Sequence, residues 1–583
     1  MIGLARFLKP FLAGLGLTIV LLFVQAICEL NLPNYMSDIV NVGIQQGAGT
    51  AYILRIGMLM LLVTALSGVA TVLVGYISAR IGAGVARNLR RAVFEKVARF
   101  SHTEFDRFST ASLITRSTND VTVIQMMLTM GIRMICYAPI MGIGGVFMAL
   151  SKSVSMSWII GVAVVLLIGG TLVLMAVVLP KFTIMQKLID RLNLVARESL
   201  NGLAVVHAFS RTDFETQRFE AVNQDLTRTN LFVQRAMTFL MPVLMLFMNG
   251  LGILVIWVGS QQVAASQMQV GDMMAYLQYV MQIIMSFMFI AMLFIFLPRA
   301  VVSADRINAV LQTEPAIVDA PEPQPMDPAL RGRVEFRDVS FRYEGADADA
   351  LSHVSFVAQP GQTTAFIGST GSGKSSIFNL ILRFYDVTEG AVLVGGVDVR
   401  AQSQAQLRSH IGYVPQQSVL MAGTIASNIA YGTDGLSEQD REKVAQVAQA
   451  LEFVEELEEG FDAPIAQGGT DVSGGQRQRL SIARALATKP DIYLLDDSFS
   501  ALDFATDAAL RAALAEYAAQ STLIIVAQRV NTIMNADKIL VVDEGRVVGV
   551  GTHQELLASC EAYYEIASSQ LAGSELRGGE ADE

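Results

Sequence analysis

Six stretches of the chain are almost continuously apolar, near residues 10–33, 56–79, 126–150, 156–180, 238–263 and 273–297. Each reaches about 20 residues, the length a helix needs to cross the hydrocarbon core of a bilayer. The pattern therefore predicts six membrane-spanning helices. Glycines and prolines inside them, such as Pro139, Pro242 and the Gly142-Ile143-Gly144-Gly145 run, fit this reading, because neighbouring helices re-satisfy backbone groups that a kink frees. Two polar intervals between spans, about Arg87 to Phe100 and Lys187 to Val206, keep helical spacing. Helices two to five are thus expected to continue beyond the bilayer. After residue 331 the pattern changes to short β-rich runs (Val334-Glu335-Phe336, Thr363 to Ile367, Ile492 to Leu495, Thr522 to Val526) alternating with helical segments. That alternation predicts an α/β domain.

Charge fixes the direction of the spans. Residues 80–125 and 181–237 hold eight Lys/Arg each, whereas 33–54 and 264–272 hold none. Since basic residues stay on the cytoplasmic side, the N-terminus and the long loops are expected inside. Arg6 and Lys9 before the first apolar run raise a signal peptide as a rival, but no small-x-small cleavage pattern follows and five more spans do. The net charge of −11 hides two unlike halves: residues 1–320 carry 23 basic and 16 acidic side chains, residues 321–583 carry 19 and 37. An acidic second half argues against a nucleic-acid binder, which needs a basic face. The three cysteines, Cys28, Cys136 and Cys560, form no CxxC pair, so neither a disulfide framework nor a zinc site is expected.

Methionines concentrate in the membrane half, 25 of 27 lying in residues 1–326. They recur on one face of the third span (Met127, Met134, Met141, Met148), the fifth (Met237, Met241, Met245, Met248) and the sixth (Met281, Met285, Met288, Met292). Helix packing is the first reading of such stripes, and a flexible lining for varied apolar ligands the second. Two ionisable residues fall in the spans, Glu29 towards the outer end of the first and Arg133 two turns into the third. A charge there is a functional candidate by default; Glu29 would favour cations if it faced a cavity, and Arg133 is the weaker candidate because its helix begins in cytoplasmic solvent. Five prolines between Pro315 and Pro328 mark a stiff linker. The expected organisation is a transmembrane domain at 1–312, a linker at 313–331, the α/β domain at 332–570 and a disordered tail at 571–583.

The chemistry is carried by Gly368-Ser369-Thr370-Gly371-Ser372-Gly373-Lys374-Ser375 followed by Ser376, between a β-rich run and a helical one. This is the phosphate-binding loop pattern in the setting it requires. Its backbone N–H groups and helix N-terminus cradle phosphates, Lys374 adds charge, and Ser375 offers a hydroxyl to Mg2+. Downstream, IYLL ends in Asp496, suited to hold the metal. Val472-Ser473-Gly474-Gly475-Gln476 opens a helical run. With these residues, the chain resembles the ATP-binding cassette (ABC) family, specifically half-transporters of the exporter fold. The resemblance implies that Tyr343 stacks on adenine, that Gln416 of GYVPQ is the Q-loop glutamine near the metal, and that Asp503 of SALD belongs to the D-loop. It also implies ATP and Mg2+ as cofactors, and two cassettes meeting head to tail, so that Ser473, Gly474, Gly475 and Gln476 complete a partner's site. A chain with one cassette must then dimerise. Segments His102 to Phe108 and Phe209 to Phe219 match the coupling helices of such proteins.

Two positions depart from the family. The glutamate that normally follows the metal-binding aspartate is Asp497, and the switch histidine is Gln528 in IIVAQR. Asp497 is one methylene short, a retraction of about 1.5 Å, and misplacement on that scale can cost about a hundredfold. An amide still hydrogen-bonds a phosphate but carries no proton. The AQGG run before the signature is a further departure. A slow homodimer and a heterodimer with one degenerate site both fit; the second explains why nucleotide-binding groups are intact while the two chemistry-bearing positions deviate. The pattern resembles the degenerate-site subunit of bacterial heterodimeric multidrug exporters, located in the inner membrane, with a second half-transporter, the lipid bilayer and a hydrophobic or amphipathic substrate as partners. A homodimeric lipid or drug flippase, a siderophore-type importer on the same fold and an ATP-binding regulatory subunit are the alternatives.

Overall fold

A computed structural model describes residues 2–571. The expected disordered tail therefore lies outside the described residues apart from Leu571, as does the side chain of Met241. The chain divides into two compact units: residues up to Ala98 together with Thr110–Thr313, and Arg99–Ser109 together with everything from Glu314 onward.

The first unit holds six helices long and apolar enough to cross a membrane among the described residues: Lys9–Gln45, Thr50–Val97, Thr110–Lys152, Ser157–Asn201, Thr212–Ala264 and Val270–Gln312. The second to fifth contain 48, 43, 45 and 53 residues. At 1.5 Å per residue the second is about 72 Å long, more than twice the roughly 30 Å core of a bilayer. Most of each helix beyond its apolar window is the polar, basic interval seen in the sequence. The expected helix from Arg87 to Phe100 stops at Val97, and the one from Lys187 to Val206 breaks at Gly202, giving a separate short helix Leu203–Ala208. The segment Phe209 to Phe219 is then no independent helix, since Thr212 already opens the fifth span.

Small residues let three spans approach closely. A Cβ on Gly142 would lie 2.8 Å from Ser286 Oγ, and one on Gly144 2.4 Å from a Leu30 methyl. Backbones in contact gain dispersion where lipid offers no hydrophobic drive. Tyr276 and Tyr279 are fully buried and donate to the carbonyls of Met156 (2.8 Å) and Leu30 (2.9 Å), tying the sixth span to the fourth and first. Asp272 pairs with Lys152 Nζ at 2.8 Å and accepts from Ser37 Oγ at 2.7 Å, joining the ends of the sixth, third and first spans. The methionine stripes divide between roles. Met141 is buried in this core with Met148, Met248 and Met281 packed against it, while Met245 is exposed.

The second unit is built on a six-stranded sheet. In chain order its strands and those of a smaller sheet are β1 (Val334–Phe341), β2 (Leu351–Ala358), β3 (Thr363–Ile367), β4 (Glu389–Val394), β5 (Val397–Asp398), β6 (Ile411–Val414), β7 (Gly423–Thr424), β8 (Pro464–Ile465), β9 (Ile492–Asp496), β10 (Thr522–Val526), β11 (Lys538–Asp543) and β12 (Arg546–Gly551). The large sheet runs β12-β11-β3-β10-β9-β6, parallel except for β12. β9 and β10 are buried along their whole length, which explains their continuous apolar sequences. Alternate side chains feed two cores: Phe366, Leu494 and Ile524 face one, Ile367, Leu495 and Ile525 the other. The antiparallel sheet β2-β1-β4-β5 packs on the first core. The proline-rich segment lies along this unit, held by Arg383 to the Val318 carbonyl (3.1 Å), Gln404 N–H to Asp319 (3.0 Å) and Gln324 N–H to the Ala401 carbonyl (2.8 Å).

Candidate functional site

The strand order β3-β10-β9-β6 places four chain segments side by side at the carboxyl ends of parallel strands, where α/β sheets bind ligands. The loop Gly368–Gly373 follows β3, Asp496 ends β9, Gln528 follows β10, and Gln416 follows β6. Gly368 must be glycine, because a Cβ would sit 1.9 Å from the Val542 carbonyl oxygen. Gly373 has φ +97° and caps the helix Lys374–Ile381. Lys374 Nζ curls onto its own loop, donating to the carbonyls of Gly368 (2.9 Å) and Ser369 (2.6 Å) and to Ser372 Oγ (3.1 Å). Ser375 Oγ donates to Asp496 Oδ1 at 3.1 Å. A cavity of about 240 Å³ gathers Tyr343, Thr370, Gly371, Gly373, Lys374, Ser375, Ser376, Gln416, Asp496, Asp497 and Gln528.

Burial sets the electrostatics. Asp496 and Asp497 are only 3% and 9% exposed. Desolvation pushes both carboxyls above the ordinary aspartate range; Lys374 pulls each back, and Asp497 raises Asp496 further. The same burial lowers the Lys374 ammonium against the pull of the two carboxylates. Serine hydroxyl and carboxylate oxygens within hydrogen-bond distance are a hard donor pair suited to Mg2+.

Asp497 and Gln528 touch each other. Gln528 Nε2 donates to Asp497 Oδ2 at 3.1 Å. Asp497 sits at φ +47°, a left-handed conformation that Asp and Asn tolerate better than longer side chains. Its backbone is held from three sides: its N–H donates to the Val526 carbonyl (2.9 Å), and its carbonyl accepts from Ser500 Oγ (2.9 Å) and Gln478 Nε2 (3.3 Å).

Ser473, Gly474, Gly475 and Gln476 are not in this cavity. They start the helix Gly474–Ala487, where Ser473 Oγ accepts from Gln476 N–H (3.2 Å) and Gln476 Oε1 from Ser473 N–H (3.0 Å). This capping box presents an exposed helix N-terminus. Asp503 is exposed too; it caps the helix Phe504–Tyr517 by accepting from Thr506 N–H (3.0 Å) and Oγ1 (2.7 Å), and those bonds hold its carboxyl below the usual range.

Residues 15–287 match the ABC transporter transmembrane region and residues 351–500 the ABC transporter domain. An ABC transporter ATP-binding protein of Mycobacterium tuberculosis is 40% identical over 578 residues, covering 99% of both chains. The chain belongs to the ABC transporter family. An ATP-dependent lipid A-core flippase of Aromatoleum aromaticum is 33% identical over 519 residues, covering 88% of this chain and 85% of the flippase. The structure of a bacterial Atm1-family ABC exporter with ATP bound superposes with a TM-score of 0.78 at 26% identity, over 97% of this chain and 100% of that one. Fold and family make this ABC transporter an ATPase-coupled exporter chain of a kind that works as a dimer in a membrane.

Two features of this ABC transporter were not visible in its sequence. The first is Gln570, at the end of the helix Glu561–Gln570. Its Oε1 accepts from Val530 N–H (2.8 Å) and its Nε2 donates to the Gln528 carbonyl (2.9 Å), so one side chain clamps the backbone on both sides of Arg529. Replacing Gln570 by Leu removes both bonds, at about 1 kcal/mol each. Faster amide exchange at Gln528 to Val530 and a lower Tm, with ATP affinity little changed, are the expected results. The second is the set of contacts made by the helix His102–Phe108, a segment the sequence did mark. Asp106 accepts from Tyr385 Oη (2.9 Å), His102 lies against Phe384 (ring centroids 4.5 Å apart), and Glu104 accepts from Ala316 N–H (2.9 Å). Tyr385 in turn meets Tyr343 edge to face at 5.2 Å. One aromatic ring therefore separates the expected adenine platform from this helix.

Proposed function

We propose that the chain is the degenerate-site half of a heterodimeric exporter in the bacterial inner membrane, moving hydrophobic or amphipathic compounds by alternating access. Residues 1–312 form its transmembrane domain, 313–331 its linker and 332–570 a cytoplasmic nucleotide-binding domain on the same side as the N-terminus. The observation that carries this reading is the Asp497–Gln528 hydrogen bond. The two departures from the family form one unit in which amide and shortened carboxylate satisfy each other. The site then retains Lys374, Ser375 and Asp496 for ATP and Mg2+, with Tyr343 for the adenine, but its one carboxylate for the water is short and tied to Gln528, and Gln528 exchanges no proton. Mg2+, held by Ser375, Asp496 and Gln416, would neutralise phosphate charge. The exposed Ser473–Gln476 N-terminus is available to complete a site on the partner. Similarity to a lipid A-core flippase supports an amphipathic substrate.

Purification alone and with the half-transporter encoded beside it tests the pairing. Vigorous ATPase and vesicle transport are expected from the pair only. Robust hydrolysis by this chain alone, unchanged in Asp497→Asn, would overturn the proposal and favour a homodimer.

A further inference from the structure

A second cavity, of about 470 Å³, lies between the second, third and sixth spans. This is the size of a small-molecule site. Its wall is apolar: Val74, Met130, Met134, Phe289, Met292 and Phe296. Two polar groups on it make no hydrogen bond among the described residues. Ser78 is 2% exposed and its Oγ has no hydrogen bond. The Arg133 guanidinium lies 5.8 Å from the Tyr137 ring centroid, and among the described residues no ion pair or hydrogen bond engages it.

Glu29 is differently placed. The sequence made it a cation-favouring residue only if it faced a cavity, and it is not part of this wall. Its Oε1 accepts from Gln25 Nε2 (2.9 Å) and Ser67 Oγ (3.1 Å), and its Oε2 from Tyr137 Oη. Three donors already engage the carboxylate. The charge left for a ligand is the positive one on Arg133, which the sequence ranked second and placed in solvent.

We propose that this pocket binds an amphipathic anion, with a single carboxylate or phosphate head on Arg133 and Ser78 and a hydrocarbon tail along the methionine and phenylalanine wall. A guanidinium pairs two-pronged with either head, and the pairing strengthens where the dielectric is low. Methionine side chains adapt to tails of different shape. That the bound compound is transported rests on the export reading above; the binding does not.

The test uses the full chain in phosphatidylcholine nanodiscs without ATP, measuring equilibrium binding of tritiated dodecanoate. Dodecyl phosphate should compete, and the ratio of the two affinities identifies the preferred head. Dodecyltrimethylammonium should compete at least tenfold less well. Arg133→Gln should weaken dodecanoate binding about tenfold, the scale of a lost charged hydrogen bond, whereas Arg133→Lys keeps it within about threefold and Ser78→Ala costs a few-fold. Competition by the ammonium compound equal to that by the phosphate, or unchanged binding in Arg133→Gln, would overturn the proposal. Anion binding without ATP-driven movement in vesicles of the assembled transporter would instead overturn the export reading and leave the pocket standing.

Discussion

Changing Asp497 to Glu and Gln528 to His together should raise ATP hydrolysis at this chain's own site about a hundredfold, and neither change alone should do so. Glutamate restores the roughly 1.5 Å of reach that aspartate lacks, and histidine restores a group that exchanges a proton near neutral pH. The singles fail for a structural reason. Gln528 Nε2 is bonded to Asp497 Oδ2, so each side chain is positioned by the other, and residues in direct contact couple by about 0.5–3 kcal/mol. Photolabelling the assembled transporter with 8-azido-ATP, and reading the fraction of label on this chain that is diphosphate, isolates the site. The full gain in either single variant, or none in the double while labelling persists, would show that the pair is not the block. A modest fall in Tm should accompany Asp497→Glu, since φ +47° suits the shorter side chain better.

The second large effect is at Lys374. Lys374→Ala should weaken ATP binding at this site at least a hundredfold, or about 2.7 kcal/mol. In the structure its ammonium is held by loop carbonyls, ready to be drawn to phosphate oxygens. The substitution also leaves Asp496 and Asp497 buried without the cation that opposes their desolvation. Both carboxyls then rise further. Protons compete with Mg2+ for Asp496, so residual Mg-ATP binding should be lost at a higher pH than in the parent as the medium is acidified. Equilibrium dialysis over a pH series reads both effects. A loss under tenfold, or an acid limb that does not move, would mean that Lys374 is not the principal phosphate contact.

What was legible in the sequence was what is local in it. Apolar runs gave the spans because a helix must satisfy its own backbone in lipid. The loop from Gly368 to Ser375 was legible because it is contiguous, and β9 and β10 because buried parallel strands are apolar throughout. Contacts between distant residues were not. Gln528 reaches Asp497 across 31 residues, Gln570 reaches Gln528 across 42, and Tyr137 reaches Glu29 across 108. No periodicity marks such pairs. The surroundings of Arg133 were out of reach for the same reason: depth along a helix is readable, but the neighbours are set by packing. Gly202 interrupts an interval whose polarity looked uniformly helical, since a single glycine scarcely alters an amphipathic pattern.

The placement of Arg99–Ser109 in the second unit also orders events during synthesis. Asp106 emerges 279 residues ahead of Tyr385, its hydrogen-bond partner. At roughly 5–20 residues per second, the helix His102–Phe108 waits about 14–56 s for the groove it packs into. Membrane insertion of four further spans is completed in that interval. The second unit is thus finished by a piece of chain made long before the rest of it, and its last step is the capture of that waiting segment.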